Sequence, residues 1–153
     1  MQSKEWTFPE HADLPPGPWM DEPDKRQWID ETTGLPCLIV RNIGVGGSGN
    51  LCGYVGVPKT HPWHGRQYMN GPDKEIAVHG LLSYSNHCRH PICHETEEGD
   101  EDGLWWFGFD CAHAEDLIPS LFGMGRDSHG TYRDVTYVAA ECAKLARQLN
   151  EVA

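Results

Sequence analysis

Long hydrophobic runs are missing from this 153-residue sequence. No stretch of about 18 apolar residues exists to cross a bilayer, and the opening MQSKEWTFPEH lacks a signal peptide's apolar segment. The expectation is a cytosolic protein without membrane association. Basic residues are scarce as well: 12 Lys and Arg stand against 23 Asp and Glu, a net charge of −11. Such a chain repels phosphate backbones, which argues against an extended nucleic acid as partner. The signatures of several enzyme classes are absent, namely a P-loop, a dinucleotide fingerprint, a serine elbow and an HExxH helix. The run GVGGSGN (44–50) has a phosphate-loop composition but does not open a helix.

What is present suffices for one folded domain. Hydrophobic residues make up 39 % and aromatics 10 % of a 17.2 kDa chain, which excludes full-length disorder. The six cysteines lie at 37, 52, 88, 93, 111 and 142, and without an export signal they are expected as reduced thiols. Cys37, Cys52, Cys111 and Cys142 fall in apolar segments and read as small buried hydrophobes, whereas Cys88 and Cys93 sit in a polar, His-rich stretch.

Residues 1–36 form a distinct region with Pro9, Pro15, Pro16, Pro18, Pro23 and Pro36 among Trp6, Trp19 and Trp28. Proline density disfavours helix and central strand, and the tryptophans disfavour a free tail, so an extended arm is predicted, with a helical turn at 22–30. Residues 37–153 then read as one α+β domain. Strands are expected at 36–42, 51–58, 77–85 and 104–113, giving an antiparallel sheet of about four strands. From 132 to 152, Val135, Val138, Ala139, Cys142, Leu145, Ala146 and Leu149 recur at steps of three and four. They mark one amphipathic helix laid on a face of the sheet. In the last strand, Trp105, Phe107, Phe109, Cys111 and His113 share one face while Trp106, Gly108 and Asp110 share the other.

Three constellations carry candidate chemistry. VPKTHPWHGRQY (57–68) places Lys59, His61, His64 and Arg66 among Trp63 and Tyr68, groups that can meet a phosphate and stack on a base, with His79, Trp105 and Trp106 as neighbours. GFDCAHAED (108–116) offers Cys111 with a histidine as a nucleophilic pair, or Asp110, His113 and Asp116 as metal ligands. NHCRHPICHE (86–95) holds Cys88, His90, Cys93 and His94, the ligand types of zinc, alone or with Cys111 and His113. Against each stands a plainer role: a shaped surface loop, a core strand ending in a bonded Asp, a solvated loop with incidental thiols. The acidic run 95–102 reads as a solvated loop tip.

The segments LCGYVGVPKTHPWHG, VHGLLSYS, WWFGFDCAH and YRDVTYVAAECAKLARQL together resemble a family of small proteins encoded by bacteriophages and bacteria. That family carries similar GYVGVP–HP–HG, VHGG and GFDCAH segments in the same order. The resemblance spans most of residues 21–150; Leu81 departs from it, standing where a second glycine usually follows VHG. It implies a phage-type setting inside a bacterial host cell and brings no reaction with it.

Three functions are therefore expected. The first is a counter-defence protein that sequesters a small anionic, nucleotide-derived host signal at Lys59, His61, His64 and Arg66, with Trp63, Tyr68, Trp105 or Trp106 stacking on the base. The second is a metal-dependent hydrolase with Asp110, His113, His79 and His61 or His64 at one sheet edge. The third is an inhibitor that presents its acidic arm or loop to a basic host surface. In each case the tryptophan-bearing arm and an incompletely covered sheet predict a homo-oligomer. The charge is unevenly placed: residues 1–36 carry eight acids and three bases, and 95–102 six acids and no base. The remaining body is neutral and compatible with an anionic ligand.

Overall fold

A computed structural model describes residues 3–44, 46–68, 76–122 and 130–152. Val45 of the expected glycine turn and the first two residues of the arm lie outside them. The architecture is α+β: an antiparallel sheet with one C-terminal helix. The sheet has six strands rather than about four, β1 (Lys4–Trp6), β2 (Lys25–Ile29), β3 (Pro36–Arg41), β4 (Leu51–Val57), β5 (Tyr84–His87) and β6 (Trp105–Asp110), in the order β1-β2-β3-β4-β6-β5.

The two additional strands come from the proline-rich N-terminal segment. Its prolines fall outside them and start short 3-10 turns at Pro9–Asp13 and Pro18–Asp21. The segment 22–30, expected as a helical turn, instead supplies β2, because alternation governs it. Lys25 and Gln27 bond Glu95, while Arg26 lies against the ring of Trp28. The strand expected at 77–85 is displaced to Tyr84–His87, since the backbone at Gly80 and Leu81 is left-handed (φ +66° and +67°) and cannot continue a ladder.

Helix α1 (Val135–Val152) starts where the Asp134 carboxylate accepts from the Tyr137 amide and Glu22 accepts from the Val135 amide. Its stripe of Val138, Cys142, Leu145, Ala146 and Leu149 covers the sheet face bearing Ile39, Val55, Phe107 and Phe109. Gly53 makes this approach close, since a Cβ there would stand 2.4 Å from the Phe109 ring and 2.9 Å from the Cys142 sulfur. On the opposite face Leu38, Val40, Tyr54 and Trp106 form a second cluster. The segment 88–104 covers this cluster: Ile92 and Leu104 pack on it, the His94 ring lies 5.3 Å from that of Trp106, and Asp102 accepts from the Trp106 indole.

Part of the acidity is consumed internally. Arg41, 1 % exposed, donates to Asp24 and Glu22 and to the Gly49 and Pro23 carbonyls. Lys25, 2 % exposed, donates to Glu95 and the Cys93 carbonyl. Among the described residues no helix is long and apolar enough to cross a membrane.

Candidate functional site

On the face opposite the helix lies a cleft of about 670 Å³ lined by Val40, Asn42, Asn50, Tyr54, Tyr84, Ile92, Asp110 and His113 among others. Strand register explains it. Tyr54 on β4 and Tyr84 on β5 both pair with Gly108 on β6, and their rings meet edge-on over the missing side chain at 5.3 Å. Beyond them Cys52 pairs with Asp110 at the strand end. Asn50, 2 % exposed, lines the cleft, and its Oδ1 has no hydrogen-bond partner among the described residues. The volume is of the order that encloses a small molecule.

The rim is built by two of the segments singled out in the sequence. Asp110 accepts from the Ser83 hydroxyl at 3.1 Å, and its other oxygen lies 3.2 Å from His113 Nε2. Behind His113 sits His79, the ring centroids 5.8 Å apart. His79 Nε2 donates to Asp116 at 2.8 Å, so its Nδ1 accepts from the Tyr137 hydroxyl at 2.7 Å. Asp116 is held from its other side by Arg133 at 2.8 Å. Burial pushes the Asp116 carboxyl up, but the Arg133, His79 and His113-amide hydrogen bonds outweigh it and leave the pKa below 3.8. Burial, then the charge of Glu141, pushes the Tyr137 phenol up, which keeps it a proton donor. Gly80 is left-handed here, and a Cβ on it would fall 2.0 Å from His113 Nε2 and displace that ring. Leu81 takes the same left-handed conformation without glycine's freedom.

Burial disfavours the thiolate at the free cysteines nearest the cleft, Cys52 in its lining and Cys111 in the helix-side core. Burial raises Cys52 to about 12 despite a hydrogen bond from Tyr54, and Cys111 is raised further by burial and nearby Asp116. Cys37 is likewise raised to about 12 by burial, and Cys142 well above 9.0.

The other residues predicted from the sequence are dispersed. His61 is buried, donating from Nε2 to the Leu149 carbonyl and accepting at Nδ1 from the Trp63 amide, and Trp63 packs in the helix-side core against Phe107. His64 donates to the Val57 carbonyl near Trp105, whose indole donates to the Arg66 carbonyl. Lys59 and Arg66 are exposed, and Tyr68 packs at the helix-side core. Trp105 is on that face too, whereas Trp106 is buried on the opposite one. His79, Asp110 and His113 do come together, without His61 or His64.

In the zinc-type loop, Cys88 and Cys93, expected as thiols, are joined in a disulfide. The Arg89–Ile92 bridge folds the chain back and brings their Cα atoms to 4.8 Å. His90 stays beside them, but His94 turns away to donate to the Cys37 carbonyl.

Tyr54, Tyr84 and Asn50 had no chemical signature in the sequence. Strand alternation was the available signal, since Cys52, Tyr54 and Gly56 must share a face opposite Gly53 and Val55. Comparison of the chain with family models, with curated proteins and with solved structures finds no match in any of the three.

Proposed function

We propose that the protein binds a small nucleotide-derived molecule, base first, in the cleft that Tyr54 and Tyr84 line. The observation that carries this reading is the buried Asn50 amide whose acceptor oxygen has no partner among the described residues, at the edge of a cavity of about 670 Å³. A buried acceptor of this kind costs about 1–3 kcal/mol until a donor reaches it, and a base N–H supplies one. Tyrosine rings offer the apolar contact, Asp110 accepts from an amine or ribose hydroxyl, and His113 at the rim meets the anionic end. The neutral body of the chain does not oppose that charge.

Binding without turnover fits the chemistry of the walls. The thiol of Cys52 is held protonated, and Ser83 donates to a carboxylate instead of to an activating imidazole. The resemblance of its segments to those of phage-encoded proteins supports sequestration of a host defence signal as the action. Thermal shift with a panel of nucleosides, linear nucleotides and cyclic nucleotides tests this reading. A stabilised midpoint with one class, lost in Tyr84→Ala, is expected; no shift with any of them overturns it.

One observation favours a second reading, hydrolysis. His79, Asp110, His113 and Asp116 adjoin the cleft, and Tyr137–His79–Asp116 forms a proton path. Both nitrogens of His79 are occupied in it, so the group suits acid–base work better than metal ligation. Chromatography of the same nucleotides after incubation separates the readings: products that vanish in His79→Ala favour hydrolysis, unchanged substrate favours capture.

A further inference from the structure

We infer that the loop between β5 and β6 is a redox-gated zinc site formed by Cys88, Cys93 and His90. The ligand atoms of these residues all lie within 4.8 Å of one another, and Cys88 Sγ is 3.9 Å from His90 Nε2. Zinc bonds of about 2.3 Å to sulfur and 2.0–2.1 Å to nitrogen place neighbouring ligand atoms roughly 3–4 Å apart, so small side-chain shifts suffice.

A second observation comes from the other side of the imidazole. His90 Nδ1 lies 3.2 Å from Glu95 Oε1, and that oxygen accepts from the buried Lys25 ammonium at 2.8 Å. The carboxylate therefore accepts a hydrogen bond from Nδ1–H, which keeps the proton on that nitrogen and leaves the Nε2 lone pair directed at Cys88. A carboxylate that orients a histidine in this way is the usual outer support of a zinc ligand. The backbone is anchored as well, because the Glu95 amide donates to Gln27 and the Lys25 ammonium to the Cys93 carbonyl. Three protein donors leave the fourth vertex to water.

In the structure the two sulfurs are bonded to each other, so metal and disulfide exclude one another. A dithiol reductant opens the bond: its thiolate attacks one sulfur, its second thiol closes the reductant's own disulfide, and two protein thiols result. Zinc(II) then displaces one proton from each thiol, giving two thiolate ligands and two protons released to solvent. Pro91 and Ile92, between the two cysteines, line the cleft, so the exchange acts on one of its walls. The inference stands independently of what the cleft binds.

The test uses the full chain in two forms, oxidised and dithiol-reduced, the reductant removed by anaerobic gel filtration. Zinc is added, excess removed, and metal counted per chain; cobalt(II) serves as spectroscopic probe. About one zinc per reduced chain is expected, none in the oxidised chain, and sulfur-to-cobalt charge transfer with four-coordinate bands. His90→Ala should bind at least about 10-fold more weakly, and Glu95→Gln about 10–100-fold more weakly. Reduced wild type holding no more zinc than the oxidised form overturns the site, as does a cobalt spectrum without the sulfur band. Unchanged affinity in His90→Ala overturns the ligand set. Cys88→Ser provides a further metal-free control, and the oxidised wild type replaces it where that variant does not fold.

Discussion

Leu81 carries the plainest local conflict in the chain: a branched, 54 % exposed side chain at φ +67°, directly after Gly80. The left-handed conformation costs a non-glycine residue roughly 1–2 kcal/mol, part of which glycine's greater unfolded freedom would offset. Leu81→Gly is therefore expected to stabilise the protein by about 0.5–1 kcal/mol in urea unfolding; a loss of stability would show that the Leu81 side chain contributes contacts of its own. His94 makes a pH prediction. Burial lowers its pKa from 6.5 against the opposing Cys37 carbonyl and Asp102, so the unfolded chain takes up the proton first. Its contribution is complete above the unfolded value and is lost as pH falls from there toward the folded one. Urea midpoints from about pH 8 to about pH 5 should decline in wild type and decline less in His94→Gln. Identical profiles contradict the role. Asp116, whose folded pKa lies below 3.8, adds stability above its unfolded value that is lost as pH falls through the folded one. Residue chemistry of this kind was only partly legible: the sequence marked His79, Asp110 and His113 by type, but Tyr137 and Arg133 reach the site from α1 and the turn before it.

At the scale of elements, the packing of α1 on β4 hinges on Gly53. Adding one methyl there drives into both the Phe109 ring and the Cys142 sulfur, and overpacking of this order costs about 1–3 kcal/mol. Gly53→Ala should lower the urea midpoint without loss of helical circular dichroism; an unchanged midpoint would mean the helix rides higher than described. Strands β3, β4, β6 and the helix were readable because their apolar positions follow one period each. β1 and β2 were not, because the proline density that argues against strand lies between them and not within them. In the segment 88–104 the expected solvated tip is present at 97–101, but its flanks pack on the sheet. The segment's polar composition suggests solvent, yet Glu95 and Asp102 are used inside the molecule, on Lys25 and on the Trp106 indole. An acidic surface for a basic partner therefore has fewer free charges than the sequence count implies.

For the whole molecule, both faces of the sheet are covered within one chain, by α1 on one side and by 88–104 on the other. Self-association, expected from the sequence on the ground of uncovered apolar surface, finds open sheet edges at β1 and β5. Light scattering that returns more than the 17.2 kDa of one chain supports it, and a monomer mass removes it. The same arrangement puts the exposed cations Lys59 and Arg66 after the far end of β4, beside the helix-side core, while Asn50, Tyr54 and Tyr84 converge on the opposite face. The proposed ligand capture is therefore assigned to the cleft and not to the cationic loop. Calorimetric titration of the nucleotide class that gives a thermal shift, into wild type, Tyr84→Ala and the Lys59→Ala/Arg66→Ala double variant, tests that claim most directly. The account predicts binding to wild type and to the double variant at similar affinity, and at least about 10-fold weaker binding to Tyr84→Ala. Binding that survives Tyr84→Ala and disappears in the double variant would contradict it.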